Sequence, residues 1–476
     1  MRLRDWRDTS SNTRVRFRLD LLVCLKSLIR MTQFTATEER TGKLTKAVAG
    51  YPRVARWSFA RNIAILGGGT ALAQSFNVLL APLLTRLYLP DSLGQFALFA
   101  SFLNVAMVGI SLRYELGIVA ARTEQKAAQL ALLAFLFSLP VSIFGAGALF
   151  LAIHFSLLGF NTLPSYTPLL MVPALIFVAA FSALRYWFVR QEQFRGVSQA
   201  TVVQNGARSI SQVVMGVFGG RLAGLLAGEL IGRSAGMTRM FREAWPSIRA
   251  YVFPANPRNL SEVLWENRQF PVYSLPSSLV DTLAANICIP LVVRCFGVET
   301  GGYFALVQRV LAVPLVLIST SVADAFHGRL AQYVRETPER VVGLFQTTSA
   351  LLALLGILPT ILLMLFGRPL FKMVFGSRWT LAGDFAAVAA PLFLAQFVVT
   401  PLSRLVFVLE GQRLKLVYDL LALTTTIGVF VFSAWGQLSP VQTIMVLSAT
   451  GTLTFGAYYL VLTRIVSKHH HSLGNL

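Results

Sequence analysis

Two arginines stand inside largely apolar sequence: Arg208 in QNGARSISQ and Arg309 in ALVQRVLAV. A guanidinium among hydrocarbon is costly unless it meets a counter-charge or faces a polar cavity. Its planar fork matches a phosphate or pyrophosphate through parallel hydrogen bonds. A third arginine, Arg113, closes an apolar run in ISLRYELGIVA. Amides recur in the same segments: Gln74, Asn77, Asn104, Gln204, Asn205, Gln212 and Gln308. Such side chains can hydrogen-bond the hydroxyls of a sugar. Carboxylates are embedded as well: Glu115, Glu229, Asp281 and Asp419. Asp281, Glu229 and Glu115 are candidates for carrying a coupling ion. A purely structural reading stands beside this one, in which Arg208 and Arg309 pair with Glu229 or Asp281 and hold helices together. Arg113 and Glu115 are two residues apart, so on a helix they would not face each other. Each is expected to have its own partner.

Several chemistries are missing. No GxxxxGK[ST] occurs, and the run Gly67-Gly68-Gly69-Thr70 is followed by no lysine, so no phosphate cradle for ATP is built here. The three cysteines, Cys24, Cys288 and Cys295, form neither a disulfide framework nor a zinc signature. Cys288 and Cys295 read as small packing residues. No catalytic residue, metal site or cofactor is expected.

The elements that must position these groups are membrane helices. The chain is 55% hydrophobic and only 13% charged, with a mean hydropathy of +0.63. A soluble domain carries about 25% charge, so the bilayer is the solvent. Twelve apolar runs are long enough to span, at roughly 62–85, 94–114, 127–153, 168–189, 200–219, 222–241, 271–293, 302–323, 343–366, 384–408, 416–434 and 440–464.

Lysine and arginine concentrate in alternate connections. Arg113, Arg122 and Lys126 follow the second run, and Arg185, Arg190 and Arg195 the fourth. After the sixth come Arg233, Arg239, Arg242, Arg249, Arg258 and Arg268. Arg329, Arg335 and Arg340 follow the eighth, and Arg404, Arg413 and Lys415 the tenth. The opposite connections are poor, apart from Arg368, Lys372 and Arg378. The positive-inside rule then places both termini in the cytoplasm. Most of the +21 net charge is topology plus a basic tail, and does not call for nucleic acid. Residues 1–56 carry no convincing span. They read either as a disordered arm touching anionic lipid or as partly untranslated, with Met31 rather than Met1 as the start.

One sentence occurs twice. PLLTRLYLPDSLGQFAL (82–98) returns as PLVVRCFGVETGGYFAL (290–306), ungapped at an offset of 208. Pro82, Arg86, Gly94 and Phe96-Ala97-Leu98 meet Pro290, Arg294, Gly302 and Phe304-Ala305-Leu306. Both copies fall between the first and second runs of a six-run unit. Six passes is an even number, so the units enter the membrane in the same sense and form a parallel repeat. The expected organisation is a basic tail (1–56), a six-helix lobe (57–242), a linker (243–270), a second six-helix lobe (271–466) and a short tail (467–476). Two such lobes can rock about a central site and open it to each side in turn.

The stretches WSFARNIAILGGGTALAQ, PLLTRLYLPDSLGQFALF and SLRYELGIVA, with FPVYSLPSSLVDTLAANICIPLVV and GGYFALVQRVLAVPLVLIS, resemble the two half-openings of the Wzx-type oligosaccharide flippases, or polysaccharide biosynthesis proteins. The likeness covers roughly 57–466. It implies an all-α membrane fold of about twelve helices in two six-helix lobes, like the multidrug/oligosaccharidyl-lipid/polysaccharide exporters (MATE-like), related by a parallel pseudo-two-fold around a cationic cavity. It implies movement of undecaprenyl-diphosphate-linked oligosaccharide across a bacterial cytoplasmic membrane, coupled to protons or sodium. The pathway would be O-antigen (lipopolysaccharide), capsule or exopolysaccharide synthesis, alongside a polymerase and assembly proteins. Arg113 and Glu115 lie in the family-like RYE stretch; the other site residues rest on their position in the spans. Two rivals remain. A multidrug exporter of the same superfamily should favour acids and aromatics at mid-depth. A membrane polymerase should carry a large polar outer loop, whereas the longest polar outer connections, about 154–167 and 367–383, lack acid/base pairs.

Overall fold

A computed structural model describes residues 67–474 of the chain, except 78, 253–256 and 410–411. The basic tail and the beginning of the first run lie outside the described residues. Among those described, the structure is helical throughout, with no strand.

Residues 67–77 are helical and lead into α1 (Ala81–Leu87). Tyr88 and Leu89 are extended, and Pro90 opens α2 (Pro90–Gly109) at its first turn. Local chemistry dictates this. A residue before proline is driven out of the helical region, and proline itself fits the first helical position because its missing N–H needs no partner there. The following helices of the first half are α3 (Glu115–Ala120), α4 (Glu124–His154), α5 (Thr167–Arg190), α6 (Phe194–Val217) and α7 (Arg221–Ala235). Thr123 caps α4 by accepting a hydrogen bond from the Lys126 backbone N–H at 3.2 Å. The sixth run ends earlier than its hydropathy suggests, because Gly236 separates α7 from α8 (Met237–Val252). With α9 (Pro257–Glu266), α8 gives the linker two helices of its own.

The second half comprises α10 (Leu275–Asn286), α11 (Cys288–Pro314), α12 (Thr320–Glu336), α13 (Arg340–Phe375), α14 (Thr380–Leu402), the short α15 (Leu405–Val408), α16 (Gln412–Trp435) and α17 (Pro440–Gly474). The chain reverses within α11 at Gly297, whose φ of 87° only glycine adopts readily. Residues on either side belong to different passes, as the boundary between the seventh and eighth runs requires.

Eight helical stretches among the described residues are long and apolar enough to cross a membrane, one of them the 67-residue stretch Phe270–Glu336 that contains the Gly297 reversal. The fifth and sixth runs form helices but fall outside this set. α6 carries Gln204, Asn205, Arg208 and Gln212, and α7 carries Arg221, Glu229 and Arg233. Polarity lowers the hydropathy of α6, and α7 is in addition only 15 residues long.

The repeated segments meet each other. A Cβ on Gly94 would overlap the carbonyl oxygen of Val298 and approach the Gly302 nitrogen; a Cβ on Gly302 would overlap the carbonyl oxygen of Pro90 and approach the Gly94 nitrogen. Residues 90 and 298, and 94 and 302, are equivalents at the offset of 208. Such reciprocity is what a two-fold relation between the segments demands. Small residues at a membrane helix crossing let backbones touch, and here α2 and α11 do so.

The hydrophobic cores follow from this crossing. At the crossing end one cluster draws on both halves, joining Leu84 and Leu93 to Val292, Phe304, Phe385 and Trp379. The Trp379 indole N–H donates to the Thr85 carbonyl at 2.9 Å across the two halves. At the opposite end, here called the linker end, each half has its own core. One joins Ile118, Ala128 and Trp187 to the linker residues Met240 and Ile248, and the other joins Phe326, Phe345, Leu402 and Leu462. Between the halves, contact continues along an α2–α10 seam, where Asn104 donates to Asn286 at 3.0 Å.

Overpacking a tight contact costs about 1–3 kcal/mol. Gly94→Ala and Gly302→Ala are each expected to destabilise the protein by that amount. Together they should cost less than their sum, since the first methyl already parts the backbones. Thermal unfolding of the four proteins in detergent checks this. Strict additivity would mean that the glycines do not share one contact.

Candidate functional site

A cavity of about 380 Å³ lies between the halves. Its polar lining is Gln74, Asn77, Asn104, Arg208, Gln212, Asn286, Gln308 and Arg309, set among apolar groups such as Leu93, Phe96 and Ile289. The two mid-span arginines thus face one space, Arg208 from α6 in the first half and Arg309 from α11 in the second.

Arg208 is held in place. Its Nη2 donates to Asn77 Oδ1 and to Asn205 Oδ1, both at 2.8 Å. Its Nη1 lies 3.6 Å from Glu229 Oε2. Glu229 is buried, and its other oxygen accepts from Arg233 Nε at 2.7 Å. Asn77 Nδ2 in turn donates to Gln74 Oε1 at 3.1 Å. A network of this kind fixes the direction of a long side chain that otherwise keeps several rotamers free.

What brings Glu229 so close to α6 is a row of glycines on α7. Cβ atoms on Gly224, Gly228, Gly232 and Gly236 would collide with Met215, Gln212, Arg208 and Ala200. The four-residue spacing places them on one face of the helix, and α7 packs flush against α6 along it. The signal was present in the sequence as glycines recurring every fourth residue in AGLLAGELIGRSAG.

Arg309 differs. Among the described residues no hydrogen bond or ion pair reaches its guanidinium, and its electrostatic neighbours are Arg208 and Glu229. Three guanidiniums (Arg208, Arg233 and Arg309) surround one carboxylate, so the region keeps an excess of two positive charges. In a cavity away from bulk water that excess attracts an anion more strongly than it would at a surface.

The other expected residues are placed as follows. Gln204 and Asn205 stand behind the lining. Asn205 supports Arg208 as above, and Gln204 Nε2 reaches the Arg233 carbonyl at 3.5 Å. Arg113 and Glu115 do not line the cavity, and Glu115 has a partner of its own in the Ser111 side chain. They form an ion pair at 3.8 Å. The second run does not stay helical to its expected end at 114, because α2 ends at Gly109 and Leu112 and Arg113 take φ of 50° and 66°. The helical spacing rule therefore does not apply to this pair. Asp281 also lies away from the lining, 3.4 Å from Lys415, which binds Asp419 at 2.7 Å. Thus Glu229 pairs with Arg208 as the structural reading allowed, while Asp281 pairs with neither arginine. Among the described residues no His, Cys, Asp or Glu cluster suits a metal ion. Asn286 was not singled out from the sequence. It lies one residue past the position that the 208 offset assigns to Asn77, a hint available had the repeat been followed further into the spans.

The fold defines the class: an α-helical membrane protein whose helices are arranged as in solved transporters of the MOP superfamily. A solved lipid II flippase MurJ in an inward closed conformation superposes with a TM-score of 0.64 at 13% identity, covering 85% of this chain and 90% of that one. An inward-facing multidrug resistance MATE transporter gives 0.59 at 12% identity, covering 88% and 99%. A MOP superfamily transporter from Pyrococcus furiosus, described as having a binding pocket of reversed polarity, gives 0.54 at 13%, covering 87% and 96%. At these identities the likeness establishes the fold. No curated protein matches the chain. A family model described as polysaccharide biosynthesis protein matches residues 83–383, and the chain belongs to that family.

Removing one partner of a buried ion pair costs about 3–5 kcal/mol, because the other charge is left unpaired. Glu229→Ala is therefore expected to lower the unfolding temperature sharply. Arg309→Met, which removes an unpaired charge, should be neutral or stabilising. Equal loss in both variants would make Arg309 a structural group.

Proposed function

We propose that this protein translocates an undecaprenyl-diphosphate-linked oligosaccharide from the cytoplasmic to the periplasmic leaflet of a bacterial inner membrane by alternating access, for the synthesis of O-antigen, capsule or exopolysaccharide. The observation that carries the reading is Arg309, which among the described residues has no ion pair or hydrogen bond within reach and shares a cavity with Arg208. A diphosphate brings the charge this site lacks, in a geometry that two arginine forks can bind. Gln74, Asn77, Asn104 and Gln308 are then available for the sugars. Family membership supports the pathway, and the flippase neighbour supports the kind of cargo.

The task fits the architecture. A charged, sugar-bearing head cannot cross hydrocarbon unaided, since buried unpaired polar groups cost several kcal/mol each. A polar cavity between two lobes shields the head while the lipid tail remains in the bilayer. Rocking of the lobes delivers it to the other leaflet. To Asp281, Glu229 and Glu115 we assign the binding and release of a coupling proton or sodium ion as the lobes move. Arg113, paired with Glu115 at the end of α2, is assigned to the entry region rather than to the diphosphate. The termini face the cytoplasm, where the lipid-linked glycan is made, and a polymerase and assembly proteins receive it on the far side. The excess positive charge disfavours the rival reading of an exporter of organic cations.

The test is made in the native host with the protein removed, by treating spheroplasts with an impermeant glycan-modifying enzyme. Lipid-linked oligosaccharide is expected to accumulate out of its reach, in the cytoplasmic leaflet, and an Arg309→Ala copy should restore little of the transfer. Glycan that reaches the outer face but stays unpolymerised would point to a polymerase instead. An unchanged glycan would remove the assignment.

A further inference from the structure

The linker between the halves carries a surface that the transport reading does not use. α8 buries Met240, Ala244, Ile248 and Val252, spaced four apart, against Ile118, Ala127, Ala128, Trp187 and Val197. Those partners lie where spanning helices begin or end: α4 starts at Glu124 and α5 stops at Arg190. α8 therefore packs on the ends of these helices. α9 is fixed beside it, with Val263 buried in the same core and Glu266 paired to Lys126 at 2.6 Å.

Turned away from this core are large aromatics. Phe241 and Trp245 are 43% and 37% exposed and stack at 5.2 Å. Trp265 is 68% exposed, with the Arg268 guanidinium 5.3 Å from its ring centroid. At 100° per residue, Phe241 and Trp245 sit beside the buried face of α8, and the exposed Arg242 and Arg249 come next around the helix. The order is thus core, aromatic, cation. Tryptophan favours the boundary between hydrocarbon and water, and arginine just beyond it meets phosphate.

We infer that α8 and α9 form a binding surface for anionic phospholipid headgroups in the leaflet at the linker end. Phe241, Trp245 and Trp265 enter the headgroup–acyl boundary, and Arg242, Arg249 and Arg268 bind lipid phosphates. The surface anchors one half of the molecule to the membrane plane. This rests on the chain spanning a bilayer and not on what it transports, so it can fail or stand independently of the flippase assignment.

The test uses the full-length protein in nanodiscs of one composition, a mixture of phosphatidylcholine and phosphatidylglycerol, prepared twice. In one preparation the bromine label is on the phosphatidylglycerol chains, in the other on the phosphatidylcholine. The fluorescence of Trp245 and Trp265 is taken as the difference between the wild type and a Trp245→Phe/Trp265→Phe variant. Quenching is expected from both lipids and to be stronger from the phosphatidylglycerol. Arg242→Gln should reduce that preference about fivefold, the effect of one basic side chain near a charged surface. Arg309→Met should leave it unchanged, which excludes lipid phosphate in the central cavity as its source. No quenching from either lipid would mean that the face meets water or a protein. Equal quenching by both would show a lipid contact without headgroup selection. Either result overturns the inference.

Discussion

Everything in this molecule is arranged around the place where two backbones touch. Gly94 and Gly302 leave no room for a methyl group between α2 and α11. Glycine in a helix gives up about 1 kcal/mol of intrinsic stability relative to alanine, so its presence at both equivalent positions reflects the contact. With the helices pinned there, Leu84, Leu93, Phe304 and Trp379 close into one core. The halves need no second shared core at the linker end, where each packs on itself. The cavity is the space this geometry leaves between them. A two-fold contact at one end, with separate cores at the other, lets each half move as a unit while its own packing stays intact.

Within that space the electrostatics are built asymmetrically. Arg208 is anchored by Asn77, Asn205 and the buried Glu229, and the glycine row of α7 sets the separation. Arg309 enters from the other half, and among the described residues no hydrogen bond or ion pair reaches it. The first half thus presents a rigid, partly neutralised cation and the second a free one. An anion held by both guanidiniums would tie the halves together across the cavity. A cationic solute is repelled by both groups.

Much of this was legible in the sequence. Hydropathy identified an all-helical membrane protein, because runs of twenty apolar residues have few other uses, although among the described residues eight stretches rather than twelve meet the length and hydropathy of a span. The duplicated segment located the crossing, though not that its copies pack on each other. Which residues line the cavity followed largely from one rule, that polar groups inside spans face away from lipid. Gln74, Asn77, Asn104, Arg208, Gln308 and Arg309 lie on the lining, whereas Gln204, Asn205 and Arg113, expected with them, do not. Partnerships were harder to foresee. Arg113 and Glu115 meet because the chain adopts positive φ at Leu112 and Arg113, a local break that an apolar run does not advertise. Asp281 pairs with Lys415, 134 residues away, and such a contact depends on the packing of α10 against α16. The α8 helix was hidden by the net basicity of the linker, which reads as an ordinary charged connection until its fourfold spacing of Met240, Ala244, Ile248 and Val252 is noticed.

The central claim is that the free guanidinium of the second half binds the diphosphate of a lipid-linked glycan. The most direct measurement is the affinity of the purified protein for undecaprenyl-diphosphate-linked oligosaccharide, compared with that of an Arg309→Met variant of unchanged stability. A hydrogen bond to a charged group contributes about 1.5–3 kcal/mol, so the account predicts an affinity lower by roughly 10- to 100-fold, partly restored in Arg309→Lys. Equal affinity in the wild type and Arg309→Met would contradict it.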